Sequence, residues 1–173
     1  MTRILPLLAG VSLLAMSAPV FAQGLSTDIN WNQCKSNASA DAIAGCSAVI
    51  GSGDESLLSL AQAFTFRGNA YMRAGDPTRA ALDFRQATRF DDQKLAPVLG
   101  YGLALYAQGR YLQALDVLNN AIERNPRYAE AIYARGLVKR SLGENEDAND
   151  DFSMARNVSA DVTRSLADLG IRL

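Results

Sequence analysis

The sequence predicts an all-α fold built from antiparallel pairs of helices, and three observations carry this prediction. Four columns of residues recur at a spacing of 34 in three segments that begin at Tyr71, Leu105 and Lys139, and a fifth column, of glycine, recurs in the same register three residues upstream of each segment. The small and apolar residues within each segment are spaced as on one face of a helix. A glycine stands between two helical stretches in every copy, at a point where helices commonly end. Each copy therefore reads as helix, tight turn, helix.

The columns hold residue types that such a unit requires. In the first copy, Ala80, Phe84 and Ala87 follow an i, i+4, i+7 spacing and share one helical face. Asp76 suits the capping position of that helix and Pro77 suits its first turn. A glycine within a helix costs about 1 kcal/mol relative to alanine, so glycines in phase indicate close approach of the partner helix. The aligned sets are Gly68, Gly102, Gly136; Gly75, Gly109, Gly143; Ala80, Ala114, Ala148; Phe84, Leu118, Phe152; and Ala87, Ala121, Ala155.

The first 22 residues have the layout of a secretory signal peptide. Arg3 gives a positive start, an apolar run follows, and Val20 and Ala22 precede a predicted cut before Gln23. The run is shorter than the roughly 20 apolar residues that span a bilayer, and a retained signal anchor is the alternative. The residue directly after the cut is Gln23 and not cysteine, so a lipoprotein is not expected. We expect export by a Sec-type route to the periplasm or the medium, without stable membrane insertion after cleavage.

Composition limits the function. The formal charge is −1, and removing Arg3 makes it −2 because every acidic residue follows the cut. This near balance gives no electrostatic case for nucleic acid. Histidine is absent, which removes the commonest general base near neutral pH and the commonest metal ligand. The stretch 147–151 begins like a calcium loop, but Phe152 and Val158 occupy the positions that require glycine and glutamate. We predict a non-enzymatic protein with no metal and no cofactor.

The columns resemble those of the tetratricopeptide repeat, whose antiparallel helix pairs stack into a right-handed superhelix. In that register the copies run over residues 61–94, 95–128 and 129–162. The glycine of the first helix, the turn glycine and the alanine–aromatic–alanine set of the second helix match most clearly. The early aromatic is present only as Phe64 and the terminal proline only as Pro126. The resemblance covers about two thirds of the expected mature chain and implies an array with a helical cap at each end.

The N-terminal cap is expected to be a helical hairpin over residues 23–60, and it contains both cysteines. Two antiparallel helices would bring Cys34 and Cys46 within bridging range. In an oxidising compartment we therefore expect a structural disulfide between them. Two free buried cysteines are the alternative.

The C-terminal segment, residues 163–173, is expected to form a short helix that closes the last repeat. Ser159 is of a residue type that caps helices, and Gly170 would end the helix. The apolar face that would cover the repeat consists of Val162, Leu166 and Leu169.

The resemblance also implies a concave groove lined by the first helices. Asparagine there offers a donor and an acceptor to an extended peptide, and arginine binds carboxylates through paired hydrogen bonds. As an alternative, the leucines of these columns pack against neighbouring helices and the arginines are ordinary surface residues. The family's clamp for a C-terminal carboxylate is not expected, because only Asn69 matches its pattern. The predicted partner-binding residues are Asn69, Arg73, Leu103, Tyr106, Tyr133 and Arg140.

Two functions are compatible with the sequence. The first is an exported adaptor that binds a peptide or protein partner in the concave groove. The second is a structural envelope protein in which the repeat faces or caps mediate self-assembly, which predicts a homo-oligomer.

Overall fold

A computed structural model describes residues 20–171, and every regular element within them is a helix. This confirms the predicted all-α fold. The predicted signal peptide lies outside the described residues except for positions 20–22, which begin the first helix. The helices are α1 (Val20–Cys34), α2 (Ser39–Gly51), α3 (Leu57–Arg73), α4 (Pro77–Phe90), α5 (Ala96–Ala107), α6 (Tyr111–Arg124), α7 (Ala129–Ser141), α8 (Asn145–Val158) and α9 (Val162–Asp168).

The helices pack in consecutive pairs, and each pair stacks on the next. The pairs α3–α4, α5–α6 and α7–α8 follow the sequence repeat. Their second helices begin at Pro77, Tyr111 and Asn145, so the structure repeats every 34 residues (77, 111, 145) like the sequence. The first of these pairs departs slightly from the sequence-based copy, because α3 begins at Leu57, ahead of Ala61. None of the helices in the described range is both long and apolar enough to cross a membrane.

The turns within the pairs α3–α4, α5–α6 and α7–α8 contain the predicted turn glycines, and the first turn shows their role. Gly75 has a φ of 77°, in the left-handed region that a glycine adopts without strain. The N–H of Asp76 then donates to the carbonyl of Tyr71 over 2.9 Å, which satisfies a carbonyl at the end of α3. The Asp76 carboxylate in turn accepts a hydrogen bond from the backbone N–H of Arg79 and caps α4. Sequence and structure agree on this turn in detail.

The glycines within the helices let side chains of neighbouring helices approach the backbone closely, as the sequence predicts. Phe84 is fully buried, and its ring lies between Gly68 of α3 and Gly100 of α5. A Cβ added at Gly68 would lie 2.8 Å from the ring, and one added at Gly100 would lie 2.5 Å from it. Phe84 therefore fixes the distance between its own helix pair and the next one.

The N-terminal hairpin covers the first face of the stack. Cys34 and Cys46 form a disulfide that joins α1 to α2, which confirms the predicted pairing. Both residues are buried in a small apolar cluster with Val49 of α2 and Ala63 of α3. Trp31 packs against this cluster and its indole N–H donates to Glu55 over 2.8 Å.

The C-terminal helix departs from the course of the stack. It begins at Val162 with Asp161 at the capping position, so Ser159 does not cap it. The physical reason is local: the N–H of Val162 donates to the backbone carbonyl of Ser159, which places the first helical turn after residue 161. α9 packs against α7, the first helix of the last pair. It therefore approaches the side of the stack formed by the first helices.

Candidate partner-binding groove

The first helices α3, α5 and α7 form one side of the stack, and we call their shared surface the inner groove. Residues 162–171, the C-terminal segment, lie across it. Ser165 and Leu169 of this segment share a cleft with Thr65 of α3 and Leu99 of α5. Further along, Gly170 lies directly against the backbone of α3. The segment thus runs from α7 across α5 to the end of α3.

Apolar side chains of α5 and α7 are buried on the side of the stack where the segment lies. Leu99 and Leu103 of α5 are 2% and 1% exposed, and Leu137 of α7 is equally buried. They belong to the same core cluster as Val162 and Leu166 of the segment. The inner columns of the array are therefore part of the protein core.

Leu103 occupies a different environment from the one predicted for a groove residue. It follows Leu99 by one helical turn and precedes Tyr106 by another, so all three lie on one face of α5. Leu99 lines one cleft with Leu169, and Tyr106 lines another with Ile171. Leu103 lies between these two positions on α5, is 1% exposed and belongs to the same core cluster as Leu166, so we infer that the C-terminal segment covers it.

Three of the predicted residues remain accessible beside the segment. Arg73 is exposed and, with half-buried Tyr106, lines a cleft of about 510 Å³. Arg73 also donates to the backbone carbonyl of Ser36 over 3.4 Å. Asn69 is half-buried and lines a second cleft, of about 240 Å³, together with Leu169. The walls of the first cleft combine apolar surface, the ends of α3 and α5, and one exposed cationic side chain.

The remaining two predicted residues lie apart from these clefts. The Tyr133 ring packs against Phe152 of α8, with the ring centroids 4.7 Å apart. The Arg140 guanidinium lies over the same ring, 5.1 Å from its centroid. Both side chains thus cover Phe152 at the face where another helix pair would stack. The structure does not bring them together with Asn69, Arg73 and Tyr106.

Sequence reasoning predicted the C-terminal helix and its apolar face. It missed that the segment lies in the inner groove, and it missed the residues that line the second cleft with it. Tyr128 and Glu130 line this cleft with Ser165. Burial, and to a lesser extent the nearby charge of Glu130, raise the pKa of Tyr128 to about 12, so its phenol stays neutral. One signal was available: the inner columns include Leu99, Leu103 and Leu137, and an apolar surface of this kind needs a cover.

Buried charges elsewhere are paired and serve packing. Asp83 accepts two hydrogen bonds from Arg67, of 2.7 and 2.9 Å, and these bonds are the main cause of the raised pKa of Arg67. Asp151 accepts two from Arg135 and also contacts Lys139. These groups join first and second helices and do not face the inner groove. Within residues 20–171, no group of three or more potential metal ligands is found.

Comparison with known proteins settles the type of repeat. Residues 102–143 match the family model described as TPR repeat. This part of the chain carries the tetratricopeptide repeat. This confirms the resemblance seen in the sequence. The pairs α3–α4, α5–α6 and α7–α8 agree with an array of three repeats.

Solved structures of tetratricopeptide-repeat type share this fold. A crystal structure of MamA superposes with a TM-score of 0.66 at 22% identity, covering 85% of this chain and 78% of that one. A thermophilic TPR protein of Thermus thermophilus gives a TM-score of 0.66 at 19% identity, covering 85% of this chain and 80% of that one. At these identities the likeness establishes the fold alone.

Two human proteins are similar in sequence over part of their length. Tetratricopeptide repeat protein 6 is 29% identical over 100 residues, which are 56% of this chain and 19% of that protein. Superkiller complex protein 3 is 27% identical over 104 residues, which are 60% of this chain and 7% of that protein. The chain thus spans only a small part of the length of either relative.

Proposed function

We propose that this tetratricopeptide-repeat protein is a non-enzymatic adaptor that binds a peptide or protein partner along its inner groove. Its fold is that of protein–protein interaction modules. One observation carries the finer proposal: the inner groove holds a helical segment, the chain's own residues 162–171, through apolar contacts. A surface that accepts one amphipathic segment has the shape and chemistry to accept another.

The accessible rim of the groove supports the same proposal. Arg73 and Tyr106 line the larger cleft next to the segment, and neither is buried in the core cluster. Tyrosine and arginine are the side chains enriched at binding hot spots, because each combines a large contact area with a polar group. Asn69 adds an amide on the other side of the segment.

We propose further that the adaptor acts in the periplasm or outside the cell. The predicted signal peptide supports this location. The disulfide between Cys34 and Cys46 also supports it, because structural disulfides persist mainly in oxidising compartments.

The test is affinity capture from a cell-envelope extract with four forms of the protein. The first variant, Arg73→Ala/Tyr106→Ala, alters the rim of the groove. The second, Tyr133→Ala/Arg140→Ala, alters the end face at Phe152. A control, Leu82→Ala/Arg89→Ala, alters exposed positions of α4, on the second helices. We expect a protein that the wild type and the control retain and that the rim variant loses.

Other outcomes would decide against the groove. Loss only with the end-face variant would move the interaction to the last repeat. Equal capture by all forms would place the partner elsewhere on the surface. If nothing is captured and the mass in light scattering grows with concentration, the self-assembling structural protein is the better description.

A further inference from the structure

We propose that the C-terminal segment is a resident ligand of the inner groove, which an incoming partner displaces, and that this partner presents an amphipathic helix of matching pattern. The proposal rests on the proposed function, because it names the chemistry of the partner for the same groove. It also predicts that the resting protein is partly closed to its own partner.

The segment has the two faces of a helical ligand. Val162 and Leu166 have no exposed surface, and Ile171 is 6% exposed. Between them, Leu169 packs against the same core cluster. The opposite face carries Arg164, which points to solvent. Apolar anchors at i, i+4 and i+7 of a short helix are the pattern by which helices bind grooves.

The polar contacts of the segment stay within residues 159–171, which are the segment and its link to α8, in the described part of the chain. Arg164 pairs with Asp161, and the Ser165 hydroxyl donates to the backbone carbonyl of Asp161. The N–H of Ile171 donates to the carbonyl of Leu166 over 3.2 Å. No hydrogen bond or ion pair found among residues 20–171 joins the segment to α3, α5 or α7. Its departure therefore leaves no buried polar group of the groove without a partner.

The helix itself depends on the groove. α9 has seven residues, whereas an isolated helix in water needs about 12–15 to be even marginally stable. Its side-chain burial is the main source of its order, so it unfolds when it leaves. A short link, residues 159–161, joins it to α8 and allows it to move without disturbing the helix pairs.

The end of the segment adds a specific requirement. Gly170 has a φ of 86°, and a Cβ at this position would lie 2.9 Å from the backbone nitrogen of Arg73. A residue with a side chain would collide with the backbone of α3 there. The matching partner therefore presents a helix with apolar residues at i, i+4 and i+7, followed directly by glycine at the helix end.

The experiment uses the segment as its own probe. A fluorescent peptide of sequence SADVTRSLADLGIRL, residues 159–173, is titrated into the wild type and into two variants. Leu166→Ala loosens the resident segment, because a leucine without exposed surface loses its packing. Arg164→Ala is the matched control on the exposed face of the same helix.

We expect the probe to bind Leu166→Ala at least about tenfold more tightly than it binds the wild type. The reason is that the apparent affinity is proportional to the fraction of molecules whose groove is open. Arg164→Ala should behave like the wild type. A probe that carries the Leu166→Asp change should bind none of them. Equal affinity for Leu166→Ala and the wild type would overturn the proposal.

Hydrogen exchange of the wild type gives a second measurement that needs no variant. The amides of α9 should exchange much faster than those of α5, because the segment opens without unfolding of the array. Exchange of both helices at the same rate would overturn the proposal, since the segment would then be a permanent part of the core.

The two proposals fail in different ways. If the probe enters Leu166→Ala but no captured protein depends on Arg73 and Tyr106, displacement stands and the adaptor function fails. If a partner is captured equally by the wild type and Leu166→Ala, the adaptor function stands and displacement fails. If the wild type forms a dimer and Leu166→Ala does not, the groove binds a second copy of the chain. This outcome would overturn the proposal that the groove binds a separate partner protein.

Discussion

The outer two repeats and the middle repeat fill the same packing position with different chemistry. In α3–α4 and α7–α8, an arginine of the first helix holds a buried aspartate of the second through two hydrogen bonds. In α5–α6 the same register places Tyr101 and Val117, which pack against the apolar core. The fold therefore tolerates either an ion pair or an apolar pair at this position.

The difference shows what a buried ion pair contributes. Removing one partner leaves a charge with no counter-charge and little water, which is costly, whereas replacing both with apolar groups is often neutral. The pairs at Asp83 and Asp151 therefore make these repeats sensitive to single changes without being required for the fold. The middle repeat should be less sensitive at the equivalent positions.

The largest effect is expected for Asp151→Ala. Asp151 is 3% exposed and faces two cations, Arg135 and Lys139, which the change would leave without a carboxylate. We expect the free energy of unfolding to fall by about 3–5 kcal/mol, measured by urea denaturation. Asp150→Ala, at the exposed neighbouring position, is the control and should have little effect. A similarly small loss for Asp151→Ala would mean that the ion pair is dispensable.

A second effect, of about 1–3 kcal/mol, is expected for Gly100→Ala. The new Cβ would lie 2.5 Å from the Phe84 ring, which cannot retreat because Gly68 holds its other side. Between α6 and α7, Leu118 takes the place of Phe84 and Ala134 takes the place of Gly100. A side chain smaller than phenylalanine there lies opposite a residue larger than glycine. Adding Phe84→Leu should therefore relieve the collision of Gly100→Ala.

Thermal and urea denaturation of the two single variants and the double variant test this coupling. Gly51→Ala serves as a control, because an added Cβ there meets nothing within 4 Å. If the losses of Gly100→Ala and Phe84→Leu simply add, the two positions are independent and the packing explanation is wrong.

A smaller effect is expected for the helix cap of the first repeat. Asp76→Ala should lower stability by about 1 kcal/mol at neutral pH, because the carboxylate caps α4. The backbone and side-chain hydrogen bonds from Arg79 lower the pKa of Asp76 below its usual 3.8. This contribution is present above pH 3.8 and is lost as the pH falls through the lowered pKa.

The stability difference between Asp76→Ala and the wild type should therefore disappear in strong acid. Glu144→Ala is the control, since Glu144 has the equivalent position in the third repeat but makes no side-chain cap bond. A difference that persists unchanged below the lowered pKa would show that the carboxylate charge is not involved.

The smallest net effect on stability is expected when the ion pair of the first repeat is replaced by the tyrosine and valine that the middle repeat has at the same positions. Arg67→Tyr and Asp83→Val should each destabilise the protein alone, because each breaks the buried pair. Together they should restore stability close to that of the wild type. A double variant as unstable as the sum of both changes would show that the tyrosine–valine pair depends on its own surroundings in α5–α6.

Much of the fold could be predicted because it depends on short-range rules. The turn at Gly75, the cap at Asp76 and the paired cysteines follow from backbone geometry and from the spacing of helices in one pair. The close approach at Gly68 followed from the cost of a glycine within a helix. Each of these features involves residues of one helix pair.

The groove could not be predicted with the same success, because periodicity tells which face of a helix is apolar and not what covers it. Leu103 was assigned to an accessible surface and is covered by a segment about 60 positions further along the chain. Tyr133 and Arg140 were assigned from the register of a continuing array. In the last repeat they turn to Phe152 instead, because no further helix pair shields that ring in the described residues.

The disulfide of the N-terminal hairpin has a consequence for its chemistry in the cell. Exchange begins when a thiolate attacks a disulfide sulfur, and both cysteines are almost completely enclosed, at 1% and 0% exposure. A soluble reductant therefore reaches the bond only after the packing of the hairpin against α3 has loosened enough to expose a sulfur. The rate at which such a reductant cleaves the bond would then record how often this end of the protein opens.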